Sequence, residues 1–255
     1  MNQSFLILSC AIPAALFAQT SQQRRPPGSS PDDPQPRVVT PGRPGQPPSD
    51  AVLLFDGTDL AKWTSRDGAP LRWVVRDGAI LSTSVHKESG KTQDLVTREK
   101  FGAAQIHLEF SIPSMPEMKG QARGNSGVYL EGRYEIQILD SYQNPTYPNG
   151  SCAALYGQFP PLVNASRPPD EWQTYDIVFH PPKCAPDGKL AEAGTLTLVH
   201  NGVLVQDHVP VTGRTCNAEP GPLLLQDHYH PDAPNTPMKF RNIWLRPLEE
   251  VPRGQ

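Results

Sequence analysis

The stretch "RYEIQILDS", residues 133–141, places a carboxylate and an amide two residues apart in a strand-like run. Alternate residues of a β-strand point to opposite faces, so Tyr134 and the two isoleucines form one apolar face. Arg133, Glu135 and Gln137 then share the other face, where the last two lie about 7 Å apart. A carboxylate accepts hydrogen bonds and an amide both donates and accepts, which suits a hydroxyl-rich ligand. The alternative is an ordinary exposed sheet surface.

Two further segments carry polar groups suited to chemistry. In "LLLQDHYHP", Gln226 and His228 share a strand face, and Asp227, His228 and His230 come together at a strand end. Histidine is a frequent acid, base or metal ligand, although a structural loop histidine is the alternative. In "NGSCAALYGQFPP", small residues precede Tyr156 and allow close backbone approach. That loop either packs a tight crossover or opens the rim of a pocket.

Several function classes are disfavoured by what the chain lacks. It has no phosphate-binding loop, dinucleotide fingerprint, nucleophile elbow or zinc-protease helix motif. Its formal net charge is −3 and it contains no basic block, which argues against a nucleic-acid partner.

The elements that position these side chains are predicted to be short strands, because runs of alternating apolar and polar residues are separated by turn residues. Asp77-Gly78 and Asn201-Gly202 each lie between apolar runs and predict tight hairpins, and a third turn is expected near Glu131-Gly132. The segment "AAQIHLEFSIP" alternates apolar and polar residues, as a half-buried strand does. No stretch shows a useful helical period. The pattern predicts an all-β sandwich or barrel.

The chain begins with an apolar segment that predicts export. Residues 1–18 are typical of a secretory signal peptide cut after Ala18, with lipid attachment at Cys10 as the less favoured alternative. Residues 19–50 are expected to form a disordered, proline-rich linker, with nine prolines in residues 21–50; a ligand for a proline-reading domain is the alternative. The folded domain is expected over residues 51–249 and a tail over 250–255, and no later segment is apolar enough to cross a membrane. The mature protein is therefore expected to be periplasmic or extracellular.

Three cysteines remain after signal removal, so the chain allows one internal disulfide at most. Cys184 and Cys216 lie in polar stretches that flank a predicted hairpin, which makes them the favoured pair. Cys152 is then expected to be a buried thiol. The alternative is that Cys152 is a nucleophile, but it has no histidine close by in the sequence that could activate it.

The motifs "LFDGTDLAKW", "GNSGVYL", "YEIQILDS", "CAALYG", "EWQTYDIVF" and "QDHYHPDAPNTPMKFRNIWLRPL" together resemble the DUF1080, or 3-keto-disaccharide hydrolase, family. The resemblance runs from about Val52 to Leu248 in the family's order. It implies a concanavalin-like or jelly-roll sandwich of two antiparallel sheets. It also implies an exported enzyme acting on glycosides already oxidised at C3, and hence a sugar 3-oxidoreductase that supplies them. We expect a monomer.

The resemblance implies removal of the C2 proton, loss of the C1 substituent and hydration of the unsaturated sugar. Glu135 and His228 are the candidates for proton transfer, in either order, or for holding a divalent cation if one is used. No other cofactor is indicated. Arg123, Asn125 and Gln137 are expected to bind hydroxyls of the substrate or the enolate oxygen. Tyr156 and Asp140 are expected at the rim of the site, and Gln226 is also expected to bind substrate.

Two rival functions remain open at this point. A non-catalytic carbohydrate-binding module of the same fold would bind sugars without turnover. A glycoside hydrolase that uses two carboxylates, drawn from Glu131, Glu135 and Asp140, would cleave unoxidised sugars and needs carboxylates about 5–9 Å apart.

Overall fold

The computed structural model describes residues 30, 35–82, 92–213, 216–230 and 237–248. The predicted signal peptide, the alternative lipid attachment at Cys10 and the tail over 250–255 lie outside the described residues. Within the described ranges, no helix is both long enough and apolar enough to span a bilayer.

The chain divides into two units, residues 1–38 and 39–255. The described part of the first unit is irregular and exposed. The second unit contains all the strands that the structure describes. In chain order these are β1 (Val52–Phe55), β2 (Trp63–Ser65), β3 (Val74–Arg76), β4 (Ala79–Leu81), β5 (Leu95–Thr97), β6 (Ala104–Ser111), β7 (Asn125–Leu130), β8 (Tyr134–Leu139), β9 (Trp172–His180), β10 (Lys183–Cys184), β11 (Leu190–Glu192), β12 (Gly194–His200), β13 (Val203–Val211), β14 (Leu224–Leu225) and β15 (Lys239–Pro247). Single 3-10 turns lie at Gly120–Ala122 and Pro148–Gly150.

Two antiparallel sheets form the body of the second unit. The larger has the order β13-β12-β9-β6-β15-β4-β3, with β1 paired to β15, and the smaller has the order β2-β5-β14-β7-β8. Strands β10 and β11 form a separate hairpin. Inward residues of both sheets, such as Leu108 and Phe110 of the larger and Val128 and Ile136 of the smaller, share one hydrophobic core. The predicted all-β sandwich is confirmed.

The predicted hairpins are confirmed at all three positions. Asp77 and Asn201 each have φ of +52°, and each is followed by a glycine with positive φ, as a tight turn between paired strands requires. Glu131 also has φ of +52° and lies in the turn that joins β7 to β8. This last turn sets the register of the two strands that carry "GVYL" and "YEIQIL".

The end of the proline-rich segment packs on strand β15. Asn242 Nδ2 donates to the Gly45 carbonyl at 2.6 Å, and Trp244 Nε1 donates to the same oxygen at 3.3 Å. Arg246 Nε lies 2.7 Å from Asp50 Oδ2. These contacts attach residues 45–50 to β15, an interior strand of the larger sheet.

The cysteines are arranged as the sequence suggested. Cys184 and Cys216 form a disulfide, with their Cα atoms 5.5 Å apart. Cys152 is a buried free thiol whose Sγ lies 3.1 Å from the Tyr175 hydroxyl. Burial raises the pKa of the Cys152 thiol, which disfavours the reactive thiolate.

Candidate active site

Strands β7 and β8 form the floor of the candidate site. Their antiparallel register places Tyr129 opposite Glu135 and Gly127 opposite Gln137. Directly opposed residues point to the same face, so these positions share the outer face of the smaller sheet, while Ile136 faces the core. The alternation expected along "RYEIQILDS" is observed. The exception is Arg133, which lies in the turn before β8.

Glu135 is the most perturbed carboxyl on this face. Burial raises its pKa from 4.5 to about 7; a hydrogen bond from Tyr129 opposes that rise, and the charge of Asp94 adds to it. The carboxyl lies over Gly127, where a Cβ atom would come within 2.6 Å of Glu135 Oε1. Glycine therefore leaves the space that the carboxyl occupies. A group with a pKa near neutrality can accept a proton as a base and return it as an acid.

A hydrogen-bonded chain holds the Glu135 carboxyl from the β14 side. Gln226 Nε2 donates to the Tyr129 hydroxyl at 2.9 Å, and that hydroxyl bonds Glu135. Burial, followed by the nearby charge of Glu135, raises the pKa of Tyr129, so the phenol keeps its proton. The backbone fixes Gln226, because its N–H donates to the Gly127 carbonyl at 2.9 Å. The amide nitrogen of Gln226, predicted to bind substrate, is thus directed at Tyr129.

Asp94 and Arg66 complete the polar side of the site, and neither was predicted. Arg66 Nη1 lies 3.3 Å from Asp94 Oδ2, and its side chain is 61% exposed. The Arg66 N–H donates to the Asp94 carbonyl at 3.0 Å, continuing the pairing of β2 with β5. The two residues are 28 positions apart and belong to no motif. Only the strand order, which brings β5 next to β14, places Asp94 near Glu135.

An amide network supports the floor beneath this surface. Gln137 is 1% exposed, and its Nε2 donates to Gln121 Oε1 at 3.0 Å and to the Gly150 carbonyl at 3.3 Å. Asn125 Nδ2 donates to the Gln121 carbonyl at 2.9 Å. The donors of both predicted ligand-binding amides are therefore directed at protein acceptors. Gln121, which the sequence did not single out, organises them.

The remaining charged candidates are ion-paired. Arg123 Nε lies 2.8 Å from Asp140 Oδ2, and Arg123 Nη2 donates to Asp140 Oδ1 at 3.1 Å. Glu131 Oε2 lies 3.0 Å from Arg133 Nη1. Burial raises the pKa of both Asp140 and Glu131, and the neighbouring arginine opposes the rise in each case. Both rival carboxylates thus have a cationic partner, whereas Glu135 is bonded to a neutral phenol.

Two tyrosines form the rim beyond the edge strand β8. Tyr156, a predicted substrate-binding residue, donates its N–H to the Glu135 carbonyl at 2.9 Å. Its hydroxyl lies 2.6 Å from that of Tyr147. The hydrogen bond with Tyr156, followed by burial, raises the pKa of Tyr147 to about 12, and the charge of Glu135 contributes.

His228 lies two residues after Gln226 and its side chain is exposed. The preceding residue, Asp227, donates its N–H to Asp94 Oδ1 at 3.2 Å and accepts the Gln93 N–H at 2.8 Å through Oδ2. These bonds hold the backbone beside His228 on the β5 side of the site. Among the described residues, no three His, Cys, Asp or Glu side chains come together as metal ligands.

The outer face of the smaller sheet thus carries a carboxyl with a raised pKa, amides and exposed tyrosines, groups that can bind a hydroxyl-rich ligand. The chain belongs to the family of 3-keto-alpha-glucoside-1,2-lyase-like domains, whose sequence profile matches residues 50–246. The resemblance read from the motifs is confirmed.

Solved structures of similar proteins agree with the family assignment. A proposed glycosyl hydrolase from Parabacteroides distasonis ATCC 8503 is 37% identical, with a TM-score of 0.77 over 94% of this chain and 100% of that one. A second proposed glycosyl hydrolase from the same organism is 20% identical, with a TM-score of 0.55 over 78% of this chain and 94% of that one, and shares the fold. A comparison with proteins of curated function finds no significant match.

Proposed function

We propose that the protein cleaves 3-keto-glycosides and that Glu135 is the base that removes the C2 proton. The observation that carries this proposal is the Glu135 carboxyl itself. It lies half-buried on the open face of the smaller sheet, bonded to Tyr129, with a pKa raised to about 7. A base of that strength matches a carbon acid that has already been activated by an adjacent ketone.

The reaction needs no nucleophile from the protein. A ketone at C3 acidifies the C2 proton; its removal leaves an enolate whose electrons form the C1–C2 double bond and expel the C1 oxygen. The leaving group takes a proton, and water then adds at C1 of the unsaturated ketone while C2 regains a proton. The protein supplies a base, a proton donor and stabilisation of the C3 oxyanion.

The geometry of an α-glucoside separates the base from the proton donor. In the chair, the C2 hydrogen and the C1 oxygen are both axial and point to opposite faces of the ring. The donor to the leaving group therefore approaches from the side opposite Glu135, which excludes Tyr129. His228 is exposed and of a residue type suited to proton transfer near neutral pH, but it lies on the β5 side of the site. We therefore assign it as the source of this proton, carried to the leaving group through water.

The polar side of the site suits the oxidised ring. Arg66 is paired with Asp94, but its side chain is 61% exposed and so is accessible to a ligand; we assign it to the developing C3 oxyanion. Arg123 is less suited because its guanidinium is paired with the nearly buried carboxylate of Asp140. This replaces the oxyanion assignment expected for Arg123, Asn125 and Gln137 from sequence.

We also propose that the protein acts in an exported, oxidising compartment. The Cys184–Cys216 disulfide supports this, because such bonds persist outside the reducing cytosol. The substrate's ketone requires prior oxidation at C3, so a sugar 3-oxidoreductase must act before this enzyme.

Aglycone release from a 3-keto-α-glucoside and from its unoxidised parent tests the proposal, with the Glu135→Gln variant run alongside. We expect release from the keto-sugar alone, and its loss in the variant. Release from the parent would instead favour two-carboxylate hydrolysis. Saturable binding without turnover of either compound would favour a carbohydrate-binding module.

A further inference from the structure

We propose that Tyr147 and Tyr156 form the subsite for the substrate's leaving group and select leaving groups with a flat apolar face, such as an aromatic ring. This inference rests on the proposed function, because only a glycosidic substrate presents a leaving group. Tyr147 was not singled out by the sequence. The structure joins it to Tyr156 in one unit, here called the tyrosine pair.

The tyrosine pair is held in place by the protein. The two hydroxyls lie 2.6 Å apart, and the rings meet edge to face with centroids 6.4 Å apart. The Tyr147 ring packs directly on Gly150, where any Cβ atom would overlap it. The Gly150 N–H also donates to the Tyr147 carbonyl at 3.0 Å, which closes the turn. An aromatic surface fixed before a ligand arrives loses little conformational entropy on binding.

The pair is nevertheless open to solvent. Tyr147 is 45% exposed and Tyr156 is 38% exposed. One hydroxyl donates to the other, which leaves a single O–H that can donate to a ligand, and the remaining surface of the pair is ring face and edge. Ring surface that is rigid, exposed and adjacent to a candidate catalytic carboxyl is suited to stacking against a flat apolar group.

The position of the pair relative to Glu135 indicates which part of the substrate it meets. Tyr156 donates its N–H to the Glu135 carbonyl and lies in the segment that pairs with the outer edge of β8. On the opposite side of Glu135 lie the polar groups of Tyr129, Asp94 and Gln226. The ring that bears the ketone and hydroxyls matches the polar side. Because C1 is bonded to C2, the C1 substituent must also lie near Glu135, and the aromatic side remains for it.

The experiment compares benzyl and methyl 3-keto-α-glucosides. Benzyl alcohol and methanol are leaving groups of nearly equal acidity, so the two substrates differ mainly in the aromatic ring. With the full-length Tyr147→Ala/Tyr156→Ala variant, we expect KM for the benzyl substrate to rise about tenfold, the size of an aromatic contact. KM for the methyl substrate should change less than about twofold. Gly150→Ala, which displaces the Tyr147 ring without removing it, should cause part of the same loss.

Two control variants separate ring contact from other effects. Tyr147→Phe/Tyr156→Phe keeps both rings and should keep the benzyl preference. Tyr142→Ala removes an exposed tyrosine outside the pair and should change neither substrate. Unchanged melting temperatures establish that the variants are folded.

Each outcome decides the inference. Loss confined to the benzyl substrate supports it. Equal loss on both substrates would overturn it, since the pair would then support Glu135 or the oxidised ring. An unchanged benzyl KM would also overturn it. If the wild-type protein turns over neither keto-sugar, the proposed function fails and the leaving-group subsite fails with it.

Discussion

Removing the Tyr129 hydroxyl should make Glu135 a base that is ionised only at higher pH. Tyr129 lowers the pKa of Glu135 by hydrogen-bonding its charged form, against the larger effect of burial. A hydrogen bond to a charged group contributes about 1.5–3 kcal/mol, and one pKa unit corresponds to about 1.4 kcal/mol. Since water can partly replace the phenol at a half-buried site, we expect Tyr129→Phe to raise the pKa by about one unit, to about 8.

This shift translates directly into a rate. At pH 7 the ionised fraction of Glu135 would fall from about one half to about one tenth, so kcat/KM should fall about fivefold. At pH 9 both proteins are almost fully ionised and the difference should nearly disappear. Asp94→Asn should act in the opposite direction, because it removes a charge that raises the pKa of Glu135 and retains an oxygen that can accept the Asp227 N–H.

The assay is the pH profile of kcat/KM for a 3-keto-glucoside, whose acidic limb reports the free enzyme's base. A ¹³C NMR titration of the labelled Glu135 carboxyl gives the same pKa without relying on turnover. Tyr142→Phe, outside the Glu135 contacts, should leave both profiles unchanged. The reasoning is refuted if wild-type Glu135 titrates near 4.5, or if Tyr129→Phe and Asp94→Asn move its pKa in the same direction.

Three further predictions concern stability. Folding raises the pKa of Glu135 from 4.5 to about 7, so the native state is penalised progressively as pH rises through that window. Glu135→Gln should therefore increase the free energy of unfolding by about 2 kcal/mol at pH 8, after allowance for its partial exposure, and leave it unchanged at pH 4; urea unfolding at both pH values checks this, and an equal gain at pH 4 would contradict it. Arg133→Met should destabilise the fold by about 3 kcal/mol at pH 8, because it leaves the Glu131 carboxylate buried without its cation. Burial raises the pKa of Glu131, so protonation at low pH should relieve part of that loss, whereas a pH-independent loss would mean that packing dominates. Replacing Cys184 and Cys216 by serine should lower the free energy of unfolding by about 3–4 kcal/mol, as expected for a disulfide between cysteines 32 positions apart. A reductant should cause the same loss of stability in the wild type and no further loss in the variant.

Much of the fold could be predicted because its signals are local. Asp77-Gly78 and Asn201-Gly202 mark turns through the conformations that their own residues tolerate. The alternation in "RYEIQILDS" assigned Glu135 and Ile136 to opposite faces through the two-residue period of a strand. Such signals need no knowledge of which strands become neighbours.

The candidate site could be predicted only in part, because its contacts cross between distant strands. Asp94 reaches the surroundings of Glu135 only because β5 pairs with β14, which no motif announces. Sequence also could not show that Gln137 and Gln226 direct their amide nitrogens at other protein groups. A polar residue on the correct face is a candidate for ligand binding. Whether its hydrogen bonds remain available depends on its neighbours in the folded protein.

The most direct test of the central claim is to run the reaction of the full-length protein on a 3-keto-α-glucoside in D₂O and locate deuterium in the product. Elimination followed by hydration must break the C2–H bond, and C2 receives a solvent deuteron once the proton taken up by Glu135 has exchanged with D₂O. Unreacted substrate recovered from the same mixture, and from one containing Glu135→Gln, corrects for exchange that does not lead to cleavage. The account predicts one deuterium at C2 of the wild-type product and little release by the variant. Product that keeps its original C2 hydrogen, together with no slowing of release when the substrate carries deuterium at C2, would contradict it and indicate direct displacement at C1.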